Sequence, residues 1–443
     1  MRLLIANDLD DTLLHKVDVR AWAQRMLWFA QDGDIIITMD LPDRRHIEHV
    51  TSLTGVDPDT LRFITLPGSG RFERRMFDHH LLLDPDLLAK LRPISPTVSE
   101  VHAQWHSPMI SVFLEELGLS DAWPGAGLFS QNGAELLNNM CNFRAFATAA
   151  GVPVSEGIVC RSAEDARFHS ARLLQKYPAL MVKQAHAGAG AGNLLLTTDS
   201  TIAGQHSGNT RRETLCANRG AAVEDFWDTH WEWASSRGRY GVVIESYVRD
   251  AISIYVEFFL DGAGPQVREV GELHFEEGRL AREVVPARTI SDRERTEVVS
   301  SATRLAHYYY NLGHRGFLSA DAVVNPSGEF TFTEVNAQFT GSSHLYNIVA
   351  NRIVKAWERG LSVTQMTSPP SWDLSNVAEL LEILEEEGLD FNNTKNDCII
   401  PITPCIGDRG LLILAVVRPL GEDPRELLNL VGNRIARRNA VAP

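Results

Sequence analysis

The first forty residues alternate strand-like and helix-like patterns, and this order narrows the possible folds more than any other feature of the chain. Apolar runs at 2–6 and 34–39 read as strands, and the apolar spacing of 19–31 between them is helical. The pattern continues in further strands at 62–65 and 127–129 and in helices at 84–91 and 98–117. Strand, helix and strand in succession predict a parallel α/β sheet, so residues 1–135 are interpreted as one α/β domain.

Length and composition exclude several classes of protein. A chain of 443 residues with 44% apolar residues predicts two to four domains with ample core. Its formal net charge of −15 disfavours nucleic acid as a partner. No apolar run approaches the roughly 18 residues of a membrane span, and the first residues lack the pattern of a signal peptide. The five cysteines are scattered, so a reducing cytoplasm is expected.

The remainder of the chain mixes α and β elements. A helix at 141–150 ends at Gly151-Val152-Pro153, and Pro369-Pro370 predicts a linker. Between these points the patterns predict strands at 180–183, 241–247, 252–260 and 267–275, helices at 221–235 and 292–312, a hairpin at 316–324 and 330–336, and an irregular stretch at 197–220. After the linker they predict a helix at 376–388, strands at 398–403 and 410–417, and a helix from 424.

A lysine at the end of a strand is followed by a run of alternating glycines. Lys183 precedes His186, and the glycines are Gly188, Gly190 and Gly192. Glycines allow backbone N–H groups to approach phosphate oxygens, and the lysine would neutralise phosphate charge. The run matches neither a P-loop nor a dinucleotide-binding fingerprint, and a flexible linker is the alternative.

The hairpin at 316–336 carries the strongest indication of chemistry. If the turn Asn325-Pro-Ser-Gly328 is even, Asp321 faces Phe332, and Glu334 is its diagonal neighbour on the same side. Asn336 shares that side by strand periodicity. Two carboxylates and an amide oxygen make a hard-oxygen site that suits Mg²⁺. The alternative is a solvated strand face.

Two weaker patterns complete the candidates. Glu245-Ser-Tyr247-Val248 ends an apolar strand and could offer backbone groups to an adenine ring, with Asp250 near the ribose. After the first strand, Asp8-Leu-Asp-Asp-Thr12 matches the motif of haloacid-dehalogenase-like phosphatases, in which Asp8 would be the nucleophile. No later stretch supplies the other groups that such a phosphatase needs, so a polar loop is favoured.

Taken in order, these features resemble the ATP-grasp superfamily of carboxylate–amine ligases. Lys183 with its glycines, the 245–248 segment, Asp321, and Glu334-x-Asn336 are similar to its phosphate, adenine and Mg²⁺ motifs. The resemblance implies an α/β and α+β multidomain fold. Its predicted parts are a pre-ATP-grasp α/β domain at 1–135, an ATP-grasp domain at 136–368 with a lid at about 145–245, and a small C-terminal α+β domain at 369–443.

The resemblance also implies a reaction and its cofactors, ATP and Mg²⁺. A carboxylate attacks the γ-phosphate of ATP, and an amine captures the acyl phosphate, releasing ADP and phosphate. Lys183 and Arg288 are the catalytic candidates. The expected nucleotide contacts are Arg144, Lys183, His186, Gly188, Gly190, Gly192, Glu245, Tyr247, Val248 and Asp250, and the expected substrate contacts are Arg282, Arg288, Gln338, Gly341 and Ser342.

Three departures from the family pattern concern the site. The usual lysine before the helix end at 151–153 is absent, with Arg144 nearby as a substitute whose planar fork differs from an ammonium. Gln338 stands where many relatives have arginine, and Ile252 where an acid often binds the ribose. The expected partners are a small carboxylic acid and a peptide amine, with no nucleic acid or membrane and with a homodimer as a possibility. Besides the phosphatase, a non-catalytic ATP-binding sensor is the alternative function.

Overall fold

The computed structural model describes residues 1–7, 24–38, 41–65, 79–187, 190–202, 204, 208–209, 211–215, 219–404 and 412–441. They form two compact units. The first contains residues 1–133, 282–286 and 338–443, and the second contains 134–281 and 287–337.

The strands are numbered in chain order: β1 Arg2–Ile5, β2 Ile35–Thr38, β3 Arg62–Thr65, β4 Glu100–Ala103, β5 Gly157–Cys160, β6 Ala179–Gln184, β7 Asn193–Thr197, β8 Arg211–Thr214, β9 Val242–Ser246, β10 Ile252–Asp261, β11 Gly264–Glu276, β12 Arg279–Val285, β13 Gly316–Val324, β14 Phe330–Asn336, β15 Leu361–Thr367, β16 Cys398–Pro401 and β17 Ile413–Pro419.

The α-helices are α1 Arg44–Thr54, α2 Pro85–Leu91, α3 Pro108–Glu116, α4 Ala126–Phe129, α5 Gly133–Leu137, α6 Met140–Ala149, α7 Ala163–Leu174, α8 Arg219–Ala234, α9 Asp292–Asn311, α10 Ala356–Arg359, α11 Val377–Glu386 and α12 Arg425–Val441. Tighter 3₁₀ turns occur at Gln24–Phe29, Pro58–Thr60, His79–Leu83, Ser95–Thr97 and Ser120–Ala122, and Leu345–Val354 is a π-helix.

The first unit begins with the parallel sheet that the sequence predicts. Its strand order is β3-β2-β1-β4, with β1 paired in parallel to both neighbours. Leu3, Leu4 and Ile5 of β1 are fully buried, because a central parallel strand is covered on both faces. The carboxylate of Asp34 accepts hydrogen bonds from the backbone and the guanidinium of Arg2, so the polar start of β1 is satisfied within the unit.

A second, antiparallel set of strands belongs to the first unit. Residues 282–285 of β12 pair with β15, β15 pairs with β17, and β17 pairs with β16. Helices α11 and α12 pack over these strands through a buried aliphatic cluster that includes Leu380, Ile383 and Val431. Burial of these side chains provides the main stabilisation of this part of the chain.

The second unit contains two groups of strands. One is a five-stranded sheet in the order β5-β9-β6-β7-β8, covered by α7 and α8 around the buried Trp227. The other is antiparallel, with β10 between β11 and β13 and with β14 beside β13. Helix α9 packs against β10, β11 and β13. Its N-terminus is capped by Ser291 and Glu294, which satisfy each other's backbone N–H groups.

Two predicted elements near residues 98–129 are wrong. Part of the helix expected at 98–117 is strand β4, which pairs with β1, and helix α3 begins only after Ser107, whose hydroxyl accepts the N–H of Ile110. The strand expected at 127–129 is the short helix α4, in which Phe129 stacks on His106 with ring centroids 3.8 Å apart. Short apolar runs fit either structure, and pairing with distant residues decides between them.

The stretch at 197–220, which was predicted to be irregular, also contains a strand, β8.

None of the helices in the described ranges combines the length and the apolar character that a bilayer crossing requires.

Candidate active site

A cluster of three charged side chains is buried in the second unit. Lys183 Nζ lies 2.8 Å from Glu245 Oε1, and Arg144 Nη1 lies 2.5 Å from Glu245 Oε2. Lys183 and Glu245 are only 6% and 4% exposed. Two cations share one carboxylate, so this cation triad (Arg144, Lys183 and Glu245) has an excess of one positive charge. In a poorly solvated position such an excess attracts an anion.

The backbone contacts of the triad explain its placement. Lys183 on β6 and Glu245 on β9 lie on neighbouring paired strands, with Met181 directly opposite Glu245. Alternation along β6 places Lys183 on the same face as Met181, two residues further along the strand. Arg144 reaches the carboxylate from helix α6 and also donates to the carbonyl of Ser155 over 2.9 Å.

The glycine segment is partly described. Gly188 lies outside the described residues. Gly190 has a φ of +74°, and a Cβ there would come within 2.8 Å of the Gly208 carbonyl oxygen. At Gly192 a Cβ would lie 2.4 Å from the Cβ of Ala187. Close packing therefore requires both glycines, whether or not a phosphate approaches them.

His186 connects the end of β6 to residues nearer the start of the second unit. Its Nε2 lies 2.9 Å from the amide nitrogen of Asn139 and 4.0 Å from Glu135. Tyr240 packs edge-on against the ring of His186 and donates its hydroxyl to Glu135 over 2.7 Å. These contacts fix the position of His186, which leads into the glycine segment.

The hairpin strands β13 and β14 have the predicted limits, but the predicted register is wrong. Asp321 pairs directly with Glu334, and Ala322 pairs with Phe332. Thr333 is therefore an extra residue, a bulge that moves Glu334 into the position opposite Asp321. The turn contributes as well, because Asn325 pairs with Glu329, and Gly328 has a φ of +81°. An odd loop with a left-handed glycine replaces the even turn that was assumed.

Asp321 lies among other acidic groups. Burial raises the pKa of the Asp321 carboxyl well above its usual range, and the nearby Glu334 and Glu257 raise it further. The hydroxyl of Ser319 donates to Asp321 Oδ1 over 2.8 Å and opposes this shift. Asn336 presents its amide nitrogen to Asp321 Oδ2 at 3.3 Å, whereas the sequence prediction assigned its oxygen to a metal.

These side chains meet the chemical requirements for a hard divalent cation. Within the described ranges, no group of three or more His, Cys, Asp or Glu side chains is arranged to hold a metal ion. Asp321 and Glu334 nevertheless place two carboxylates side by side, and a cation between them would relieve the repulsion that raises the pKa of Asp321. Mg²⁺ commonly uses one or two protein carboxylates and takes its other ligands from water and phosphate. The hairpin fits that pattern.

One hydrogen bond joins the triad to the hairpin. Lys183 Nζ donates to the carbonyl of Thr333, the bulged residue, over 2.9 Å. The same bulge brings Glu334 opposite Asp321. The cation triad, with its excess positive charge, therefore lies on one side of this hydrogen bond. The carboxylates of Asp321 and Glu334 lie on the other side.

At the strand end 245–248, where the sequence predicts adenine contacts, several groups already have partners within the protein. The side chain of Glu245 belongs to the triad. The backbone N–H groups of Ser246 and Tyr247 donate to the carbonyls of Glu156 and Ala179 over 2.8 and 3.1 Å. Val248 follows them, and Asp250 is exposed with a φ of +55° and lies 3.3 Å from Arg249. The N–H groups of Ser246 and Tyr247 are therefore already used within the protein.

The predicted substrate residues are divided between the units. Arg288 is an exposed residue of the second unit, whereas Arg282, Gln338, Gly341 and Ser342 belong to the first. Arg282 pairs with Met366 across β12 and β15. The hydroxyl of Ser342 donates to the buried Glu283 over 2.7 Å, and the carbonyl of Gly341 accepts from Arg25 over 3.1 Å.

Sequence reasoning missed several contributors to these sites. It did not include Glu257, Ser319 or Glu272 of the second unit, or Glu283 of the first. Glu257 and Ser319 lie opposite each other on β10 and β13. Strand alternation could have placed Ser319 on the Asp321 face, but only the pairing of β10 with β13 identifies Glu257. Asp8, the nucleophile of the phosphatase alternative, lies outside the described residues.

Comparison with known proteins identifies the fold. Residues 23–119 match the family model of the pre ATP-grasp domain. The chain superposes on N5-carboxyaminoimidazole ribonucleotide synthetase, solved with ADP, with a TM-score of 0.53 and 14% identity over 99% of this chain and 96% of that one. A search of curated proteins found no significant match.

Two biotin carboxylases are also similar. The biotin carboxylase domain of 2-oxoglutarate carboxylase from Hydrogenobacter thermophilus has a TM-score of 0.56 and 12% identity, covering 94% of this chain and 85% of that one. Biotin carboxylase from Campylobacter jejuni has a TM-score of 0.56 and 14% identity, covering 94% and 87%. The predicted fold class, a pre-ATP-grasp α/β domain with an ATP-grasp fold in a multidomain α/β and α+β chain, is confirmed.

Proposed function

We propose that this protein is an ATP- and Mg²⁺-dependent ligase that activates a carboxylate and joins it to an amine. The observation that carries the proposal is the contact between Lys183 and Thr333, which places the cation triad beside the carboxylates of Asp321 and Glu334. A magnesium-bound triphosphate is a polyanion with its own cation, so it needs groups of both charges. The fold of the solved enzymes, two of them described with ADP, agrees with a nucleotide site.

Each group of residues has a distinct part in this proposal. Arg144 and Lys183 would bind phosphate oxygens, with Arg144 taking the place of the lysine absent from this chain. Glu245 would hold both cations at a fixed separation. Mg²⁺ bound by Asp321, Glu334 and Asn336 would neutralise phosphate charge during transfer. His186, Gly190 and Gly192 would hold the glycine segment over the nucleotide, whereas Tyr247, Val248 and Asp250 are proposed for the base and ribose.

The substrate residues are proposed from chemistry and exposure. Arg288 is an exposed residue, and a guanidinium can bind a carboxylate through two parallel hydrogen bonds. Arg282, Gln338, Gly341 and Ser342 are proposed as further contacts to the acid or the amine. Gln338 is neutral, so it supplies no positive charge where many relatives have arginine.

The proposed substrates are an unusual amino or guanidino acid and the N-terminal amine of a peptide. This finer proposal rests on the C-terminal region, where Leu380–Gly388 precedes the final strands and helix. This order is similar to the small C-terminal domain of the peptide ligase of pheganomycin biosynthesis. It implies a role in peptide antibiotic biosynthesis in the cytoplasm. A homodimer is proposed because the biotin carboxylase domain of Hydrogenobacter thermophilus was crystallised as a dimer.

Incubation with ATP, MgCl₂, pooled carboxylic acids and pooled amines and peptides tests the reaction. We expect ADP release that requires both an acid and an amine, and a product whose mass equals their sum minus one water. Asp321→Asn should lose this activity, whereas Glu329→Gln, an exposed change on the same hairpin, should keep it. ADP release that requires bicarbonate and no other acid would contradict the proposal and favour a carboxylase.

The two alternative functions give different results in the same assay. A sensor would bind ATP without releasing ADP when acid and amine are added. A phosphatase would hydrolyse phosphate esters and would lose activity in an Asp8→Asn variant. Full ligase activity in Asp8→Asn would exclude the phosphatase.

A further inference from the structure

The chain that carries Arg288 is fixed to strand β11 by its backbone. The N–H of Ala287 donates to the carbonyl of Val270 over 2.7 Å. The next two N–H groups, those of Arg288 and Thr289, both donate to Glu272 Oε1, the second over 2.6 Å. Three consecutive backbone N–H groups are therefore held by one strand. A single side chain, Glu272, accepts two of them.

Glu272 is buried, and both of its carboxylate oxygens have partners. Its side chain is 2% exposed, and its second oxygen lies 3.0 Å from Nε2 of His274. Burial alone would raise its pKa, but the hydrogen bonds from His274, Thr289 and Arg288 hold the pKa of the Glu272 carboxyl below its ordinary value. Hydrogen bonds to an ionised carboxylate are stronger than those between neutral groups. The contact is therefore suited to fixing a backbone conformation.

Helix α9 holds the same chain from another direction. Arg295 donates from Nη2 to the carbonyl of Ala287 over 2.8 Å, and its Nη1 lies 3.5 Å from Glu269. Arg295 thus binds the carbonyl of Ala287, whereas Glu272 binds the two N–H groups that follow it. Arg288 itself is an exposed residue. A side chain mounted on a fixed backbone loses less conformational freedom when it binds a ligand.

We propose that Glu272 is a positioning residue that holds Arg288 in the orientation required to bind the carboxylate of the acid substrate. The inference deepens the proposed function, since it depends on Arg288 binding that acid. Glu272 touches no substrate and acts through the two backbone N–H groups. Its loss should weaken use of the acid and leave the nucleotide unaffected. Misplacement of a binding group by about 1 Å can lower a rate on the order of 100-fold.

The experiment compares Glu272→Ala and the milder Glu272→Gln with the wild-type protein in two measurements. Hydrogen–deuterium exchange should become faster in peptides covering residues 287–290. In steady-state kinetics, KM for the acid should rise about tenfold or more in Glu272→Ala, with KM for ATP unchanged. Glu272→Gln, which keeps an oxygen acceptor, should show a smaller rise. Glu277→Gln, on the turn after β11, removes an exposed carboxylate as the charge control.

Two results would overturn the inference. Unchanged exchange at 287–290 in Glu272→Ala would mean that the carboxylate does not hold this chain. Equal increases in KM for acid and ATP, together with a lower Tm, would indicate a role in stability alone. Failure of the proposed function is distinguishable, because the wild-type protein would then form no condensed product from any pooled acid and amine. If Glu272→Ala does not fold, hydrogen–deuterium exchange and steady-state kinetics are both measured on Glu272→Gln.

Discussion

The two charged clusters of the second unit differ in the signs of the charges that they bring together. In the cation triad, Glu245 lies between Arg144 and Lys183, so one carboxylate offsets part of the charge of two buried cations. In the hairpin, Asp321 and Glu334 are paired residues of like charge, and burial together with Glu334 raises the pKa of Asp321. Buried opposite charges depend on each other, because removal of one leaves the others unpaired, whereas a like-charged pair lowers its free energy by binding a cation or a proton.

The largest expected effect is a loss of stability when the triad is broken. Glu245→Gln leaves two buried cations without their carboxylate and should lower the free energy of unfolding by about 3–5 kcal/mol. Denaturant titration measures the change. Glu156→Gln removes an exposed partner of Lys176 and should leave the unfolding midpoint unchanged. Equal midpoints for the two variants would mean that Glu245 does not stabilise the two buried cations.

The hairpin should respond in the opposite direction. Asp321→Asn removes a repelling charge, so its stability in the absence of metal should equal or exceed that of the wild-type protein. Its ligase rate should fall on the order of 100-fold, because the cation would lose a ligand. If Asp321→Asn lowers the free energy of unfolding as much as Glu245→Gln does, repulsion between Asp321 and Glu334 is not a destabilising factor.

Metal binding should distinguish the clusters directly. At a concentration about ten times its Kd, Mg²⁺ should stabilise the wild-type protein by about 1.4 kcal/mol. Thermal unfolding with and without MgCl₂ measures this. The same shift should persist in Glu329→Gln and disappear in Asp321→Asn. A shift that survives in Asp321→Asn would place the metal elsewhere.

A third kind of buried group is the neutral histidine His46 in the first unit. Burial, reinforced by repulsion from His49, lowers the pKa of His46 to about 3, below the unfolded value of 6.5. The unfolded chain therefore binds protons first, and this stabilisation is complete above pH 6.5 and is lost as the pH falls towards 3. The loss should reach at most about 1.4 kcal/mol per pH unit.

Unfolding free energies measured from pH 7 to 4.5 test this dependence. His46→Gln should have a flatter profile than the wild-type protein, whereas His307→Gln at an exposed position should keep the wild-type slope. Identical slopes in all three proteins would show that folding does not lower the pKa of His46.

Much of the fold is predictable because strand and helix periods are local properties. The limits of β13 and β14 agree with the sequence to the residue, since both strands are bounded by turn residues. Strand β4 was predicted as helix because its apolar residues fit both periods, and only its pairing with β1 selects the strand. The register of the hairpin required the bulge at Thr333, which no pattern of residue types indicates.

The sequence by itself determined which chemical groups this protein has and in what order, including a strand-end lysine, a glycine segment, and two acids with an amide on one hairpin. Tertiary structure alone decided their partners. Arg144 and Glu245 are 101 residues apart in the chain, and Lys183 and Thr333 are 150 apart. Periodicity describes neighbours within a helix or strand, whereas an ion pair depends on the position of both groups in space, which the packing of the whole unit sets.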